Sequence, residues 1–110
     1  MPLYLYQARF SREALGTLIE KPQDRAKGAA TAIEAVGGKL HHYFFSFGEY
    51  DIAIIAEVPD NVSMAGVAMA VANTGAVTDS RTTILMTAAE GVEAMRQGQK
   101  VAAAYHPPAR

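Results

Sequence analysis

The chain has 110 residues, of which 50% are hydrophobic, and a formal net charge of −1. This length suits one compact domain, which we expect to span residues 1–104, with residues 105–110 as a flexible tail. Because the chain has no cysteine, a disulfide scaffold, a thiolate zinc site and a cysteine nucleophile are excluded. Acidic and basic residues are interspersed, so we expect no nucleic-acid partner.

The N-terminal residues MPLYLYQARF lack a basic segment followed by a long apolar one, so they do not resemble a signal peptide. The apolar run Met64–Ala76 is too short to span a bilayer, and two glycines and an asparagine interrupt it. These features predict a soluble, cytoplasmic protein that does not associate with a membrane.

The first part of the chain predicts a strand followed by a broken helix. Leu3–Phe10 is rich in β-forming residues and predicts the first strand. Ser11 stands where a helix N-cap belongs, and apolar residues follow it at helical spacing. Pro22 breaks or kinks this helix, because proline lacks a backbone donor and clashes with the preceding turn. A second helical segment with an apolar stripe runs over 26–36, and Gly37-Gly38 ends it.

Three strands and two helices are predicted after that stop. They are the strand Lys39–Phe47, the strand Asp51–Val58, the helix Asn61–Asn73, the strand Val77–Met86 and a last helix from the capping box Thr87-Ala88-Ala89-Glu90 to Ala104. The third strand is apolar on both faces and should therefore lie in the middle of a sheet or beneath another subunit. His41 and His42 are adjacent on a strand, so we expect them to point to opposite faces.

The order of these elements predicts an α+β fold. A β-α-β-β-α-β order is that of the ferredoxin-like fold, here with a four-stranded antiparallel sheet and an added C-terminal helix. Four antiparallel strands with two helices on one face leave the other face bare. We expect a second copy of the chain to cover it, giving a homo-oligomer that is a dimer or a higher even assembly.

The chain resembles the GYD-domain family, which is named for a Gly-x-Tyr-Asp signature. The signature corresponds here to Gly48, Tyr50 and Asp51, preceded by Gly37-Gly38-Lys39-Leu40 and a strand, and followed by Ile-Ala-Ile-Ile-Ala-Glu-Val-Pro-Asp. The resemblance extends from about residue 4 to residue 86. It implies a dimeric α/β barrel of ferredoxin-like domains. Most members of the family are uncharacterised, so the resemblance supplies no catalytic residue.

The signature itself has a structural and a functional interpretation. As a turn, Gly48 would adopt a positive φ, and Asp51 would accept backbone N–H bonds across the hairpin. As a site, Asp51 would be a base and Tyr50 a proton donor at the rim of a pocket. Turn chemistry alone explains the glycine and the aspartate, so we predict a structural turn that can also edge a pocket.

Arg9 and one histidine are the other polar candidates. If the face of the first strand that carries Gln7 and Arg9 is the bare one, these side chains line the space between two sheets. Arg9 then needs an anion, either a carboxylate such as Glu57 or a ligand carboxylate. Arg81 in the fourth strand could be a second cation near the same space.

We therefore predict an oligomeric module that binds a small molecule in a pocket between sheets, with no metal and no cofactor. The candidate pocket residues are Tyr6, Arg9, His42, Tyr43, Tyr50 and Asp51. One alternative is a small barrel-type enzyme, an isomerase or a cofactor-poor monooxygenase that acts on a hydrophobic substrate. The other alternative is a structural assembly protein.

Overall fold

The computed structural model of the chain describes residues 1–109, and Arg110, the end of the predicted tail, lies outside them. Its elements in chain order are β1 (Leu3–Phe10), α1 (Arg12–Glu20), α2 (Ala26–Glu34), β2 (Lys39–Phe45), β3 (Ile52–Glu57), α3 (Asn61–Asn73), β4 (Val77–Leu85) and α4 (Ala88–Ala104). The predicted order, the break at Pro22 and the added C-terminal helix are all present. The α+β ferredoxin-like class is confirmed.

The four strands form one antiparallel sheet in the order β2-β3-β1-β4. β3 lies in the interior of this sheet, which accounts for its apolar residues on both faces. β2 and β4 are the edges, and the threonine-rich sequence of β4 fits an edge position.

One face of the sheet carries the core. Its buried residues on the two central strands are Tyr4, Tyr6, Ala8, Ile52, Ile54 and Ala56. Ile33 of α2 and Met64 and Val67 of α3 cover this face. Because side chains alternate along a strand, Gln7 and Arg9 lie on the opposite face. We call that opposite surface the open face; its centre is formed by Leu5, Gln7, Ala53, Ile55 and Phe44.

β2 departs from simple alternation. Leu40 is paired with Ala56 and His42 with Ile55, so His41 is an extra residue in a β-bulge. His41 contacts the carboxylate of Glu57, and Glu57 lies on the same face of β3 as Ile55. The expectation that His41 and His42 point to opposite faces is therefore wrong, because the bulge brings both to the open face.

Capping hydrogen bonds fix the helix ends that the sequence predicts. The Ser11 hydroxyl accepts from the N–H of Ala14 at 3.1 Å, and Thr87 and Glu90 form the reciprocal capping box. Gly37 and Gly75 follow α2 and α3 with φ angles of 81° and 78°, the left-handed conformation that ends many helices.

Much of the chain's surface is left uncovered. The accessible surface is 7947 Å², whereas a compact monomer of this mass exposes about 5,900 Å². The radius of gyration is 17.8 Å, against about 13 Å for a compact chain of this length. α4 buries none of its residues, and Val62, Met69 and Met95 are largely exposed.

Within residues 1–109, none of the helices combines the length and the apolar character that crossing a membrane requires.

The N-cap of α3 predicts a pH-dependent contribution to stability. The backbone N–H of Ser63 donates to the Asp60 carboxylate at 2.8 Å, and this bond holds the pKa of Asp60 below its ordinary value of 3.8. A lowered folded-state pKa stabilises the protein above the ordinary pKa, and the stabilisation is lost as the pH falls through the lowered value. Asp60→Ala should therefore lower the Tm at pH 7, and the gap should narrow below about pH 4.

Thermal unfolding monitored by circular dichroism from pH 2.5 to 7 measures this gap. Asp60→Asn is the control, because its amide oxygen keeps the cap without a charge. A gap between wild type and Asp60→Ala that is constant over the whole range would contradict the assignment.

Candidate functional site

The structure divides the six predicted pocket residues among three places. Tyr6 and Tyr43 lie on the core face of the sheet, beneath the helices. Arg9 and His42 lie on the open face, by the register of β1 and β2. Tyr50 and Asp51 lie at the end of the sheet, between β2 and β3. They do not form one pocket within a single chain.

The Gly-x-Tyr-Asp segment is held by backbone and carboxylate hydrogen bonds. The Asp51 carboxylate accepts from the N–H of Phe10 at 2.9 Å, and the N–H of Asp51 donates to the carbonyl of Ala8 at 2.9 Å. The hydroxyl of Ser46 donates to the carbonyl of Tyr50. Asp51 thus extends the pairing of β1 with β3 by one residue and closes the loop over β1.

Gly48 does not have the predicted positive φ. Among residues 1–109, the glycines with positive φ are Gly37 and Gly75. The N–H of Ser46 bonds the carbonyl of Asp51 at 2.8 Å, so the loop between them has four residues, and such loops are commonly built around turns that need no positive φ. A Cβ on Gly48 would meet no atom within 4 Å, so a single chain does not require glycine here.

Arg9 has a different partner from the one expected. Its Nε donates to the carbonyl of Glu49 at 2.6 Å, and the proposed partner Glu57 contacts His41 instead. Arg9 therefore fixes the loop rather than forming an ion pair with Glu57.

The open face carries a shallow polar depression beside the signature loop. Its volume is about 250 Å³, and Gln7, Ser46, Glu49, Tyr50 and Arg81 are among the residues that line it. Gln7 and Arg81 are directly paired across β1 and β4, so Arg81 lies on the open face beside this depression. On the same face, the rings of His42 and Phe44 stack with centroids 5.5 Å apart.

A larger cavity lies on the other side of the sheet, between the sheet and helices α1, α2 and α3. Its volume is about 410 Å³, which is within the range of small-ligand pockets. Its apolar lining includes Phe10, Ala29, Ala32, Ile54, Val67 and Val71. Its polar lining includes Tyr6, Thr17, Gln23, Arg25, Tyr43 and Thr74.

Tyr6 places an unpaired hydroxyl in the wall of this cavity. The side chain is 5% exposed, and its oxygen is the one buried side-chain polar atom in residues 1–109 without a hydrogen-bond partner. Burial raises the pKa of Tyr6, and the nearby Ser80 hydroxyl offsets this only partly; Ser80 is close but not in hydrogen-bond geometry. An unpaired buried hydroxyl carries a desolvation cost, and this oxygen is closed off from the cavity itself.

Arg25 and Tyr43 form the second polar group of the cavity. Burial raises the pKa of Tyr43, whereas the charge of Arg25 lowers it and that of Asp24 raises it, which places both charges close to this ring. Arg25 and Gln23 were not singled out from the sequence. An arginine at the start of α2, where a helix favours negative charge, was the available signal.

Within the part of the chain that the structure describes, no three His, Cys, Asp or Glu side chains gather in a way that could hold a metal ion.

A comparison with protein-family models gives a match over most of the chain. The chain matches the model of the GYD domain family over residues 4–103. The match spans most of the sequence, so the chain belongs to the GYD domain family. A comparison with curated proteins finds no match.

Solved structures share the fold at low sequence identity. A hypothetical protein from Pyrococcus horikoshii is 10% identical with a TM-score of 0.51, over 79% of this chain and 92% of that chain. A transcriptional regulator from Neisseria meningitidis, solved as a complex with L-Met, is 12% identical with a TM-score of 0.52, over 79% of this chain and 51% of that chain. FFRP-DM1 is 13% identical with a TM-score of 0.49, over 78% and 100%. The first two likenesses show the fold alone, and the chain spans about half of the regulator's length.

The loop geometry predicts that Asp51 is a structural residue. Asp51→Ala should lower the free energy of unfolding by about 1–2 kcal/mol, because the N–H of Phe10 loses its acceptor. Asp51→Asn should lose much less, since the amide oxygen can accept the same bond. Urea unfolding measures both.

Glu49→Ala is the matched control, because only the backbone carbonyl of Glu49 is used by Arg9. If Asp51→Ala proved as stable as Glu49→Ala, the carboxylate would not be fixing the loop.

Proposed function

We propose that this GYD-domain protein binds a small, largely apolar molecule in the cavity between the sheet and the helices, and that it does so as a homo-oligomer. The observation that carries this proposal is the cavity of about 410 Å³ with a largely apolar lining, which is partly open to solvent. Small-ligand pockets have this volume and this kind of lining, with a few polar groups among apolar side chains.

The site differs in position from the one expected between two sheets. That expectation combined residues of both faces of β1, whereas the cavity uses Tyr6 and Tyr43 from the core face. The structural neighbour from Neisseria meningitidis, solved as a complex with L-Met, supports only the suitability of this fold for small-molecule binding.

The oligomer is proposed from uncovered surface. The chain exposes about 2,000 Å² more than a compact monomer of its mass, and a stable interface buries about 800 Å² from each partner. The surplus suffices for more than one interface. The open face supplies one apolar surface through Leu5, Ile55 and Phe44, and α4 supplies another, which fits a dimer or a higher even assembly.

The two alternative functions, an enzyme and a structural assembly protein, have less support. The enzyme alternative relied on Arg9, His42 and Asp51 acting with the tyrosines, and in one chain these groups lie apart. A purely structural assembly protein would not need a cavity in each subunit.

Substitution of Tyr6 tests the unpaired hydroxyl. Tyr6→Phe should raise the free energy of unfolding of the ligand-free protein by about 1 kcal/mol, because it removes a buried polar atom without a partner. Tyr4→Phe is the matched control on the same strand and face. Tyr4 donates to the amide oxygen of Asn61, so its substitution should destabilise by about 1 kcal/mol. Chemical denaturation of both variants measures the difference, and equal losses would refute an unpaired Tyr6.

Ligand binding is tested by differential scanning fluorimetry against a library of small apolar alcohols, acids and amides. Compounds that bind should raise the Tm in a concentration-dependent way. A cavity-filling variant, Ala32→Phe, should abolish the shifts, whereas Ala65→Phe on the exposed side of α3 should not. A library without any shift would overturn the binding proposal.

The oligomer is tested by multi-angle light scattering. Wild type should have an even multiple of the chain mass, and Phe44→Glu should lower it, because the substitution puts a charge in the open face. The matched control is Ile19→Glu, an exposed apolar residue of α1 on the helix side. A monomeric wild type would remove this part of the proposal and leave the cavity intact.

A further inference from the structure

We propose that the ligand of the helix–sheet cavity is a small organic anion with an apolar body, such as a monocarboxylate, and that the guanidinium of Arg25 binds its charged group. This inference rests on the proposed function, since it names the ligand class of the same cavity. It comes from the placement of Arg25, from Gly28 beside it and from the apolar side chains in the middle of the cavity.

Gly28 makes room for the guanidinium. Gly28 lies inside α2, where glycine is less favourable than alanine. A Cβ at this position would lie 2.7 Å from Nη2 and 3.1 Å from Cζ of Arg25, closer than van der Waals contact allows. The φ of Gly28 is not positive, so the backbone conformation of α2 does not require glycine at this position. Because Gly28 has no side chain, the guanidinium of Arg25 can lie against the helix beside the cavity.

Arg25 forms no ion pair among residues 1–109, although the Asp24 carboxylate lies close to the same Tyr43 ring. The ion pairs within residues 1–109 are His41 with Glu57 and Arg96 with Glu93. The neighbouring Asp24 uses its carboxylate to accept from the N–H of Ala26 at 2.8 Å. Arg25 also stands at the N-terminus of α2, where a positive charge opposes the helix dipole. An anion bound at this point would interact favourably with both the guanidinium and the helix.

The other polar wall lies across the sheet. Arg25 lies by Tyr43 of β2, whereas the Tyr6 hydroxyl of β1 lies towards Ser80 of β4. Between them the sheet presents Ile52 and Ile54 to the cavity. A molecule that fills the space would contact a cation at one side and apolar side chains in the middle, while the Tyr6 hydroxyl is buried behind the far side. A small carboxylic acid with an apolar body meets these requirements.

The test compares acids with their neutral analogues. Benzoate, phenylacetate, hexanoate and octanoate would each be titrated by calorimetry beside the corresponding primary amide. In wild type the acids should bind at least about tenfold more tightly than the amides, as expected for a charge-assisted bond to arginine. In Arg25→Gln this preference should disappear while amide binding is retained.

Gly28→Ala is the second variant, and it tests the role of Arg25 in a protein that is expected to fold at least as stably as wild type. It should raise the Tm through the higher helix propensity of alanine, yet weaken binding of the acids, because its methyl group displaces the guanidinium. Gly16→Ala in α1, where a Cβ would meet nothing within 4 Å, is the matched control and should leave the affinity for acids unchanged. Lys27→Gln controls for the loss of one positive charge near Arg25.

The outcomes separate this inference from the proposal on which it rests. Equal affinities of acids and amides in wild type would overturn the anion assignment and leave the binding cavity standing. A preference for acids that survives in both Arg25→Gln and Gly28→Ala would also overturn it. Absence of binding by every acid and every amide, together with no hit in the wider library, would overturn both.

Discussion

The antiparallel pairing of β1 with β3 is the interaction on which the rest of the structure depends. Its register sets Tyr4 opposite Ala56 and Tyr6 opposite Ile54, so two large rings lie among aliphatic side chains on one face. Burying that face removes the most apolar area from water, and it therefore decides where α2 and α3 pack. The same register assigns Gln7 to the open face. One pairing thus fixes both the floor of the cavity and the composition of the open face.

The cavity follows from the small residues that face this floor. α2 presents Ala29 and Ala32 to the sheet, and these small side chains pack against the core cluster but leave space beside it. Larger side chains such as leucine at the two positions would add buried area at only a small cost in helix propensity. The chain forgoes that stabilisation, and the Tyr6 hydroxyl without a partner adds a second cost in the same place. Two features that lower stability therefore lie together at one cavity, as is common at binding sites.

The sequence predicts the fold well because its signals are local. The N-cap at Ser11, the break at Pro22 and the glycine stops depend on neighbouring residues alone. The bulge at His41 could not be found in this way, because it arises from the pairing of β2 with β3 and reverses the alternation beyond it. The positive φ predicted for Gly48 is wrong, because a four-residue loop needs no positive φ. Arg25 was missed because its role depends on Gly28, three residues on, and on a cavity that forms only when helix and sheet meet.

The polar groups that line the cavity are suited to binding a molecule through charge and hydrogen bonds. Among the described residues that line it, none is a carboxylate or a histidine, so the usual acceptors of a proton near neutral pH are missing. The two tyrosines have raised pKa values because they are buried. A neutral phenol donates a hydrogen bond but does not abstract a proton. A guanidinium likewise stabilises negative charge without transferring a proton. These groups can position an anion, as the proposed binding requires.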